Sequence, residues 1–444
     1  MSSRSYSILI LLLVLTFGVE GRAQNGAYSS YAPYSIFGVG DMLSSGSAYN
    51  STMGGVGIAS RNNRYLNYLN PAALTARDSL SFMVDFSLNE GNKVFRKGDM
   101  TSAVNTFNIN NCAISFPLKN KFAMSVGIRP YSSVGYGYGF VYTDPELIGN
   151  VGNISYTASG QGTINELFMG FGIPVFKGLS LGVEGIYYFG NISRNNYVTF
   201  SDASYNGSNN GYNMQLNAFT GKFGFQYEQK LPGASSITAA ATYKLATDLR
   251  GFVEAFEYST GSTASDTLFH NIDTLKNTPG KVRLAGELGV GIAYNSGDRW
   301  RIEVNYTMSD WRSTGMDTVP GFKGNATSTE NFSSFKATRS HAIRAGFEIV
   351  PNRNDIRYYH KKIAYRAGAY YRTEYYQVDD QTISDFGITL GATLPVFRWY
   401  NGVTVGMQLG QRGRLGGNLI RENYINFTFG VNLFDIWFKK TRYE

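Results

Sequence analysis

Large apolar residues alternate with small or polar residues along most of this chain of 444 residues. In residues 425–433, for example, the odd positions are large and apolar, and the even positions are small or polar. A period of two is typical of β-strands, whose successive side chains point to opposite faces of the sheet. The same pattern recurs in residues 122–128, 181–189, 237–245, 284–294, 302–308, 343–349, 388–394 and 403–409. The sequence therefore predicts an all-β protein.

The lengths of the connections distinguish a barrel from a soluble sandwich, because both folds show this alternation. From about residue 79 onward, long connections alternate with short ones, although one connection in the short series, near residues 351–361, is longer. The predicted long loops cover residues 191–212, 246–280 and 310–336, and the short turns lie near 118–120, 176–178, 231–233, 295–298 and 398–401. Tight turns at one end and extended loops at the other are typical of outer-membrane barrels.

The aromatic residues support the same prediction. Tyr and Phe gather near the ends of predicted strands, as in residues 187–189 and 370–376, where interfacial girdles lie in barrels. We count about fourteen strands between residues 79 and 438, followed by a short C-terminal tail at 439–444. A sheet in lipid must close on itself, because hydrocarbon offers its edges no hydrogen-bond partners. We expect a transmembrane antiparallel β-barrel of about fourteen strands.

The N-terminus has the pattern of a cleaved signal peptide. Arg4 precedes an apolar run at residues 8–15, and a small-x-small site ends at Ala23. Residues 1–23 are therefore predicted to direct export, and the cell outer membrane is the expected location. Residues 24–78 are rich in glycine and polar residues and are poor strand formers. We interpret them as a hatch, or plug, inside the barrel.

Composition and motifs do not indicate nucleic-acid binding, a metal site or catalysis. The formal net charge of +8 is spread along the chain, which does not indicate nucleic-acid binding and suits a surface near outer-membrane lipid headgroups. The single cysteine and three distant histidines give no metal-site spacing, and we expect no cofactor. A Gly-x-Ser-x-Gly match at residues 178–182 begins a predicted strand rather than a strand-to-helix turn. We do not expect an enzyme.

Charged residues occur at polar positions of several predicted strands. A charge that faced lipid at mid-depth would cost about 2–4 kcal/mol, so these side chains should point into the lumen. They could pair with one another and with the plug, or they could line a substrate path; we favour pairing. The candidate lumen charges are Glu184, Glu287, Glu303, Arg344, Glu348 and Arg366, together with Lys244.

The third predicted strand contains an irregular stretch. Its alternation breaks at Pro130 and at the glycines Gly135, Gly137 and Gly139. Proline cannot donate to a sheet, and glycines in strands mark bulges or bends. Two interpretations remain open: the wall could open sideways toward lipid here, or the strand could simply end and turn into a loop.

The plug segment carries a family resemblance. Gly54, Gly55 and Gly57, followed by Asn70-Pro71-Ala72, resemble the hatch of the FadL/TodX outer-membrane transporters, the long-chain fatty acid transporter family. Several later sequence segments resemble the branch of this family found in Bacteroidetes: residues 362–368, 410–413, 421–424 and 437–440.

The resemblance implies a barrel of 14 strands and two alternative functions. The first is transport of a small hydrophobic ligand, which would leave sideways through a kink at Pro130 and the following glycines. The second is a barrel that transports nothing and is a subunit of a multiprotein outer-membrane complex for protein secretion or assembly. The predicted lumen face is polar, charged and rich in glycine, which departs from a greasy transport tunnel.

Overall fold

A computed structural model describes residues 30–436, apart from residues 45, 79–80, 120–121, 150, 203, 261–266, 275–280, 298, 325–332 and 397–400. The predicted signal peptide at residues 1–23 and the predicted tail at 439–444 lie outside the described residues. So do the first residues of the predicted hatch.

Most of the described chain is β-strand. Short helices lie at Pro33–Ile36, Ala48–Ser51, Pro71–Ala76, Pro145–Ile148, Pro232–Ala234 and Tyr359–Lys362. Among the described residues, no helix has both the length and the apolar character to cross a membrane. The strands are β1 (Asp41–Met42), β2 (Ser81–Lys97), β3 (Met100–Lys119), β4 (Phe122–Tyr142), β5 (Ile154–Phe176), β6 (Leu179–Phe200), β7 (Gly207–Lys230), β8 (Ser235–Lys244), β9 (Thr247–Asp248), β10 (Arg250–Thr260), β11 (Thr267–Thr274), β12 (Arg283–Leu284), β13 (Glu287–Ser296), β14 (Trp300–Asp310), β15 (Phe335–Ala337), β16 (Arg339–Ile349), β17 (Ala364–Val378), β18 (Gln381–Pro395), β19 (Gly402–Arg412) and β20 (Arg421–Ile436).

The strands form one closed antiparallel barrel. Each strand from β2 to β7 pairs with the next, and β20 pairs back with β2 along residues 421–436. Three of the wall strands are broken into shorter pieces. One consists of β8, β9 and β10, one of β11, β12 and β13, and one of β15 and β16. The wall then has 14 strands, which confirms the predicted fold class and strand count.

Burial in the wall is the reverse of that in a soluble protein. In β7, Phe219 is 69% exposed on the outer face, whereas Lys222 and Gln226 are buried on the inner face. In β20, the odd residues Ile425 and Phe429 are exposed, as the sequence pattern predicts. An apolar exterior around a polar interior is the arrangement that a lipid-facing barrel requires.

Two of the predicted long loops are wrong. β6 extends to Phe200 and β7 begins at Gly207, so most of residues 191–212 is strand. Residues 246–280 likewise contain β9, β10 and β11. Their Ser, Thr and Asn side chains look like loop composition, but they belong to strands whose backbone groups are paired. The predicted loop at 310–336 is correct in position, since β14 ends at Asp310 and β15 begins at Phe335.

A charge on the outer face should weaken the barrel. Phe429 lies outward on β20, seven residues from the described end of that strand, and is 47% exposed. We expect Phe429→Arg to destabilise the folded barrel by about 2–4 kcal/mol, because it places a guanidinium in hydrocarbon. Urea unfolding in lipid vesicles measures this cost, and Phe429→Leu is the matched control. Equal midpoints for the two variants would contradict the assignment of this face to lipid.

Candidate functional site

Residues 30–77, named here the inner segment, run through the barrel interior and are mostly buried. At one end, β1 pairs with β4 through Asp41–Ser133 and Met42–Ser132. At the other end, the helix Pro71–Ala76 packs against β5, β6 and β7 near the short turns. The segment overlaps the predicted hatch at residues 24–78.

The Asn70-Pro71-Ala72 motif lies on a patch of wall glycines. A Cβ atom added at Gly182 would lie 2.3 Å from the Ala72 nitrogen, and one at Gly224 would lie 2.1 Å from the Asn70 side-chain oxygen. Asn70 is fully buried: its amide donates to the Ile58 carbonyl at 2.9 Å, and its oxygen accepts from the Ala72 N–H at 3.0 Å. The motif therefore fixes this turn of backbone directly against the wall.

The glycines Gly54, Gly55 and Gly57, which precede this motif in the hatch resemblance, make a second close contact. Gly54 has a φ of +70° and donates its N–H to the Thr389 hydroxyl at 2.8 Å. A Cβ atom at Gly368 would lie 2.2 Å from the Gly54 nitrogen. Gly55 also has a positive φ and lies beside the Arg344 side chain, whereas Gly57 packs within the inner segment. At Gly368 the backbone of the wall meets the backbone of the inner segment, which only glycine permits.

Buried ion pairs fill the space between these contacts. Arg412, which is 1% exposed, donates to Glu422 at 2.5 and 3.0 Å and to Asp41 of the inner segment, and lies 3.5 Å from Glu374. Arg372 extends the network by binding Asp385 at 2.7 Å. These charges connect the inner segment to β17, β18, β19 and β20.

A second group of charges encloses two tyrosines of the inner segment. Arg366 donates to Glu348 at 2.7 Å and lies 4.4 Å from the ring centre of Tyr49 and 4.9 Å from that of Tyr65. Arg301 donates to the Tyr49 hydroxyl at 3.1 Å and to Glu303 at 3.0 Å. Each guanidinium therefore has both a carboxylate and an aromatic partner, which offsets the cost of burying it.

A third group lies against β4, β5 and β6. Arg129 donates to Glu166 at 2.5 Å and to Glu184 at 3.5 Å, and it covers the ring of Phe168 at 4.6 Å. Beside this group is a cavity of about 160 Å³ with both acidic and basic walls, which include Lys222 and Lys244.

The structure brings most of the predicted lumen charges into these groups. Glu184, Glu303, Glu348 and Arg366 are fully buried and ion-paired, while Glu287 and Arg344 are half-buried and line the cavity of about 160 Å³. The sequence reasoning missed other buried charges of the same groups: Asp41, Arg129, Glu166, Lys222, Arg301, Glu374, Asp385, Arg412 and Glu422. Those on strands occupy the alternate positions that face the lumen, and this alternation could have identified them from the sequence.

A loop closes the barrel at the end opposite the short turns. Within residues 311–324, Trp311, Met316 and Phe322 are buried in one aromatic cluster with Phe37 of the inner segment. The Phe322 carbonyl accepts the Gly38 N–H at 2.8 Å. This described part of the predicted loop at 310–336 folds into the mouth rather than projecting from it.

The irregular stretch of β4 is not the end of a strand. β4 stays paired with β5 from Ala123 to Tyr142, with a register shift between Pro130 and Ser132. On its other side, pairing with β3 stops at Ile128. The interpretation of Pro130 to Gly139 as a turn into a loop is therefore wrong.

The inner segment takes the place of β3 along this stretch of β4. β1 pairs with Ser132 and Ser133, and the Ala32 N–H donates to the Gly135 carbonyl at 2.8 Å. Tyr31 donates to the Gly137 carbonyl at 2.7 Å. The part of β3 before Cys112 is paired with β2 but not with β4, which leaves a gap in the wall between β3 and β4. Behind this gap is a cavity of about 150 Å³, and the charged residues in its wall are Asp41, Lys93, Arg344, Arg372, Asp385, Arg412 and Glu422. The space next to this gap is thus charged.

Solved structures with the same fold were found for most of the chain. The toluene transporter TbuX of Ralstonia pickettii is 13% identical, with a TM-score of 0.57 over 88% of this chain and 98% of its own. The toluene transporter TodX of Pseudomonas putida is 15% identical, with a TM-score of 0.57 over 90% and 99%. A FadL homologue of Pseudomonas aeruginosa is 10% identical, with a TM-score of 0.56 over 89% and 99%.

At these identities the likeness establishes the barrel fold that the FadL/TodX resemblance implied. None of the curated proteins compared with this chain matches it. The BamG family model matches residues 6–444, which is nearly the whole sequence, and the chain therefore belongs to the BamG family.

Proposed function

We propose that this protein is a barrel subunit of a multiprotein outer-membrane complex for protein secretion or assembly, and that it transports nothing itself. The observation that carries the proposal is the filled lumen. The aromatic mouth, the buried ion pairs and the glycine contacts hold the inner segment in place along the lumen, and the two cavities beside it measure about 160 and 150 Å³. A barrel of this kind acts as a platform, with function on its outer surfaces.

Movement of the inner segment would be costly. It would break the Arg412 network and the contacts of Arg366 with Tyr49 and Tyr65. Removing one partner from a buried ion pair costs about 3–5 kcal/mol, because the other charge stays buried without compensation. A hatch that shifts during transport would have to meet several such costs at once, whereas a static subunit meets none of them.

Transport of a small hydrophobic molecule is the second candidate. The gap between β3 and β4 favours it, since lateral diffusion through the wall needs an interruption at this place. The shared fold with the two toluene transporters also favours it. The charged cavity behind the gap weighs against it, because apolar ligand pockets are lined mainly by hydrophobic side chains.

A disulfide lock separates the two candidates. A Cβ atom added at Gly291 would lie 3.2 Å from the Ile58 Cβ, slightly below the disulfide range of about 3.5–4.5 Å, and 2.4 Å from the Asn305 side-chain oxygen, so the Asn305 side chain must rotate away. In a Cys112→Ser background, Ile58→Cys with Gly291→Cys should tie the inner segment to β13. We expect the oxidised variant to recover the same protein partners as the reduced variant in pull-downs from mild detergent.

Uptake of labelled toluene by cells that carry the variant gives the second readout of the lock. The single-cysteine variants are the controls. Uptake that stops on oxidation and returns with reductant would contradict a static lumen and support the transporter. The subunit proposal predicts no difference between the oxidised and reduced states.

A further inference from the structure

One edge of β3 has no partner strand along the first half of its length. β2 pairs with β3 from Met100 to Ser115, whereas pairing with β4 begins only at Cys112. In an antiparallel sheet, alternate residues direct their backbone N–H and C=O groups to one neighbouring strand or to the other. Among the described residues, none makes a backbone hydrogen bond to the β4 side of residues 101–111, named here the open edge.

Part of the open edge lies at the depth of the apolar band. Phe107 and Ile109 are 62% and 53% exposed on the outer face, and Ile109 is opposite Leu88 of β2. Hydrocarbon offers no hydrogen-bond partner to a backbone N–H or C=O group, so an unpaired strand edge is unfavourable there. The open edge therefore needs an occupant that supplies backbone hydrogen bonds.

The inner segment does not supply these hydrogen bonds, because it pairs with β4. β1 and the Ala32 N–H bind β4, and a Cβ atom added at Gly135 would overlap the Ser30 carbonyl. The inner segment reaches β3 through a side chain, since the Asn110 amide donates to the Gly46 carbonyl at 3.1 Å. The β4 side of the gap is thus occupied, and the β3 side is open.

The side chains along the open edge indicate what fits beside it. Phe107 and Ile109 point outward, whereas Thr106, Asn108 and Asn110 line the cavity of about 150 Å³ on the inner side. A strand added here needs apolar side chains toward lipid and small or polar side chains toward the cavity, because successive side chains point to opposite faces. A lipid acyl chain matches the outer side alone and has no backbone groups to pair with β3.

We infer that an extended segment of a partner protein adds to the barrel as a strand at the open edge. Its backbone pairs with β3, its apolar side chains lie beside Phe107 and Ile109, and its polar side chains face the cavity. Strand addition to a free sheet edge is a general mode of peptide recognition, and β1 binds β4 in this way within the chain. The inference rests on the proposed function, since the partner's strand completes the wall and closes the gap that lateral diffusion needs.

Photo-crosslinking in cells tests where the partner's segment lies. The photoreactive residue p-benzoylphenylalanine replaces Phe107 in one variant and Ile109 in a second. Phe223 is the matched control position, because it is 50% exposed on the outer face of β7, which is paired on both sides. We expect the two open-edge variants to crosslink to one segment of one protein, at positions two residues apart, and the Phe223 variant to crosslink to no protein.

The other crosslinking results would overturn the inference. They are crosslinks to lipid alone, crosslinks to a second copy of this chain, crosslinks scattered over several proteins, and equal crosslinking by all three variants. An absence of crosslinks at both open-edge positions would overturn it as well.

Amide hydrogen exchange distinguishes backbone pairing from side-chain contact. In detergent, we expect the gap-facing amides of residues 101–111 to exchange at least tenfold more slowly in the co-purified complex than in the bare barrel. β2 is the internal control, because it is paired with both β3 and β20 in either sample. Equal exchange of residues 101–111 in the two samples would overturn strand addition.

The results also separate this inference from the proposed function. A protein that co-purifies with the wild type but does not crosslink to the open-edge positions would overturn strand addition and leave the subunit proposal intact. If no protein co-purifies with the wild type and none crosslinks, the subunit proposal itself is overturned together with the inference.

Discussion

Arg412→Met should destabilise the folded barrel by about 3–5 kcal/mol, the range for removing one partner of a buried ion pair. Arg412 is 1% exposed and is shared by Glu422, Asp41 and Glu374. Methionine fills similar volume but leaves these carboxylates close together without their common cation. The loss should also release the inner segment, because Asp41 is the carboxylate that this segment contributes.

Urea unfolding in lipid vesicles, followed by heat-modifiable migration on gels, measures the cost. Arg414→Met is the matched control: Arg414 is exposed and donates a hydrogen bond to the Gln381 side chain at 2.8 Å. We expect its midpoint to stay close to that of the wild type. If Arg412→Met unfolds at the same urea concentration as Arg414→Met, the ion-pair network does not stabilise the barrel.

Gly182→Ala should displace the inner segment while the barrel wall remains folded. The added Cβ would lie 2.3 Å from the Ala72 nitrogen and 2.3 Å from the Pro71 carbonyl carbon, which are backbone atoms that cannot rotate away. Inserting a methyl group into a packed site costs about 1–3 kcal/mol. Because Gly182 lies in β6, which is paired with β5 on one side and β7 on the other, we expect the inner segment to move rather than the wall.

Conductance in planar bilayers reports this displacement, since a loosened filling admits ions. Gly185→Ala is the control on the same strand: its Cβ would lie on the outer face, 3.4 Å from the Phe219 ring. We expect the wild type and Gly185→Ala to conduct little and Gly182→Ala to conduct measurably more. A closed lumen in Gly182→Ala would show that the Asn70-Pro71-Ala72 contact does not hold the filling in place.

The barrel architecture could be predicted because the position of each wall residue along its strand decides which face it occupies. Every wall residue faces either lipid or lumen, so the alternation in residues 425–433 directly encodes the two faces of β20. Even Glu184 and Arg366 could be assigned to the lumen from parity alone. The same rule failed for residues 191–212, where strands leave the apolar band and polar side chains appear on both faces.

The packing inside the barrel could not be predicted in the same way. Asp41 and Arg412 are 371 residues apart, and nothing local to either residue indicates the pairing. The burial of Trp311 and Phe322 in the mouth depends on where the inner segment places Phe37. Residues 310–336 are predicted from their composition only as a long loop, whereas their described part, residues 311–324, packs into the mouth and closes the barrel.

Native mass spectrometry of protein released from membranes in mild detergent tests the central claim most directly. A barrel with a filled lumen that serves as a subunit should appear with a stoichiometric protein partner and without a small bound molecule. The same sample at higher collision energy should release the partner and leave the bare barrel mass. A monomer that carries a reproducible small hydrophobic adduct, with no protein partner, would contradict the account and support a transporter.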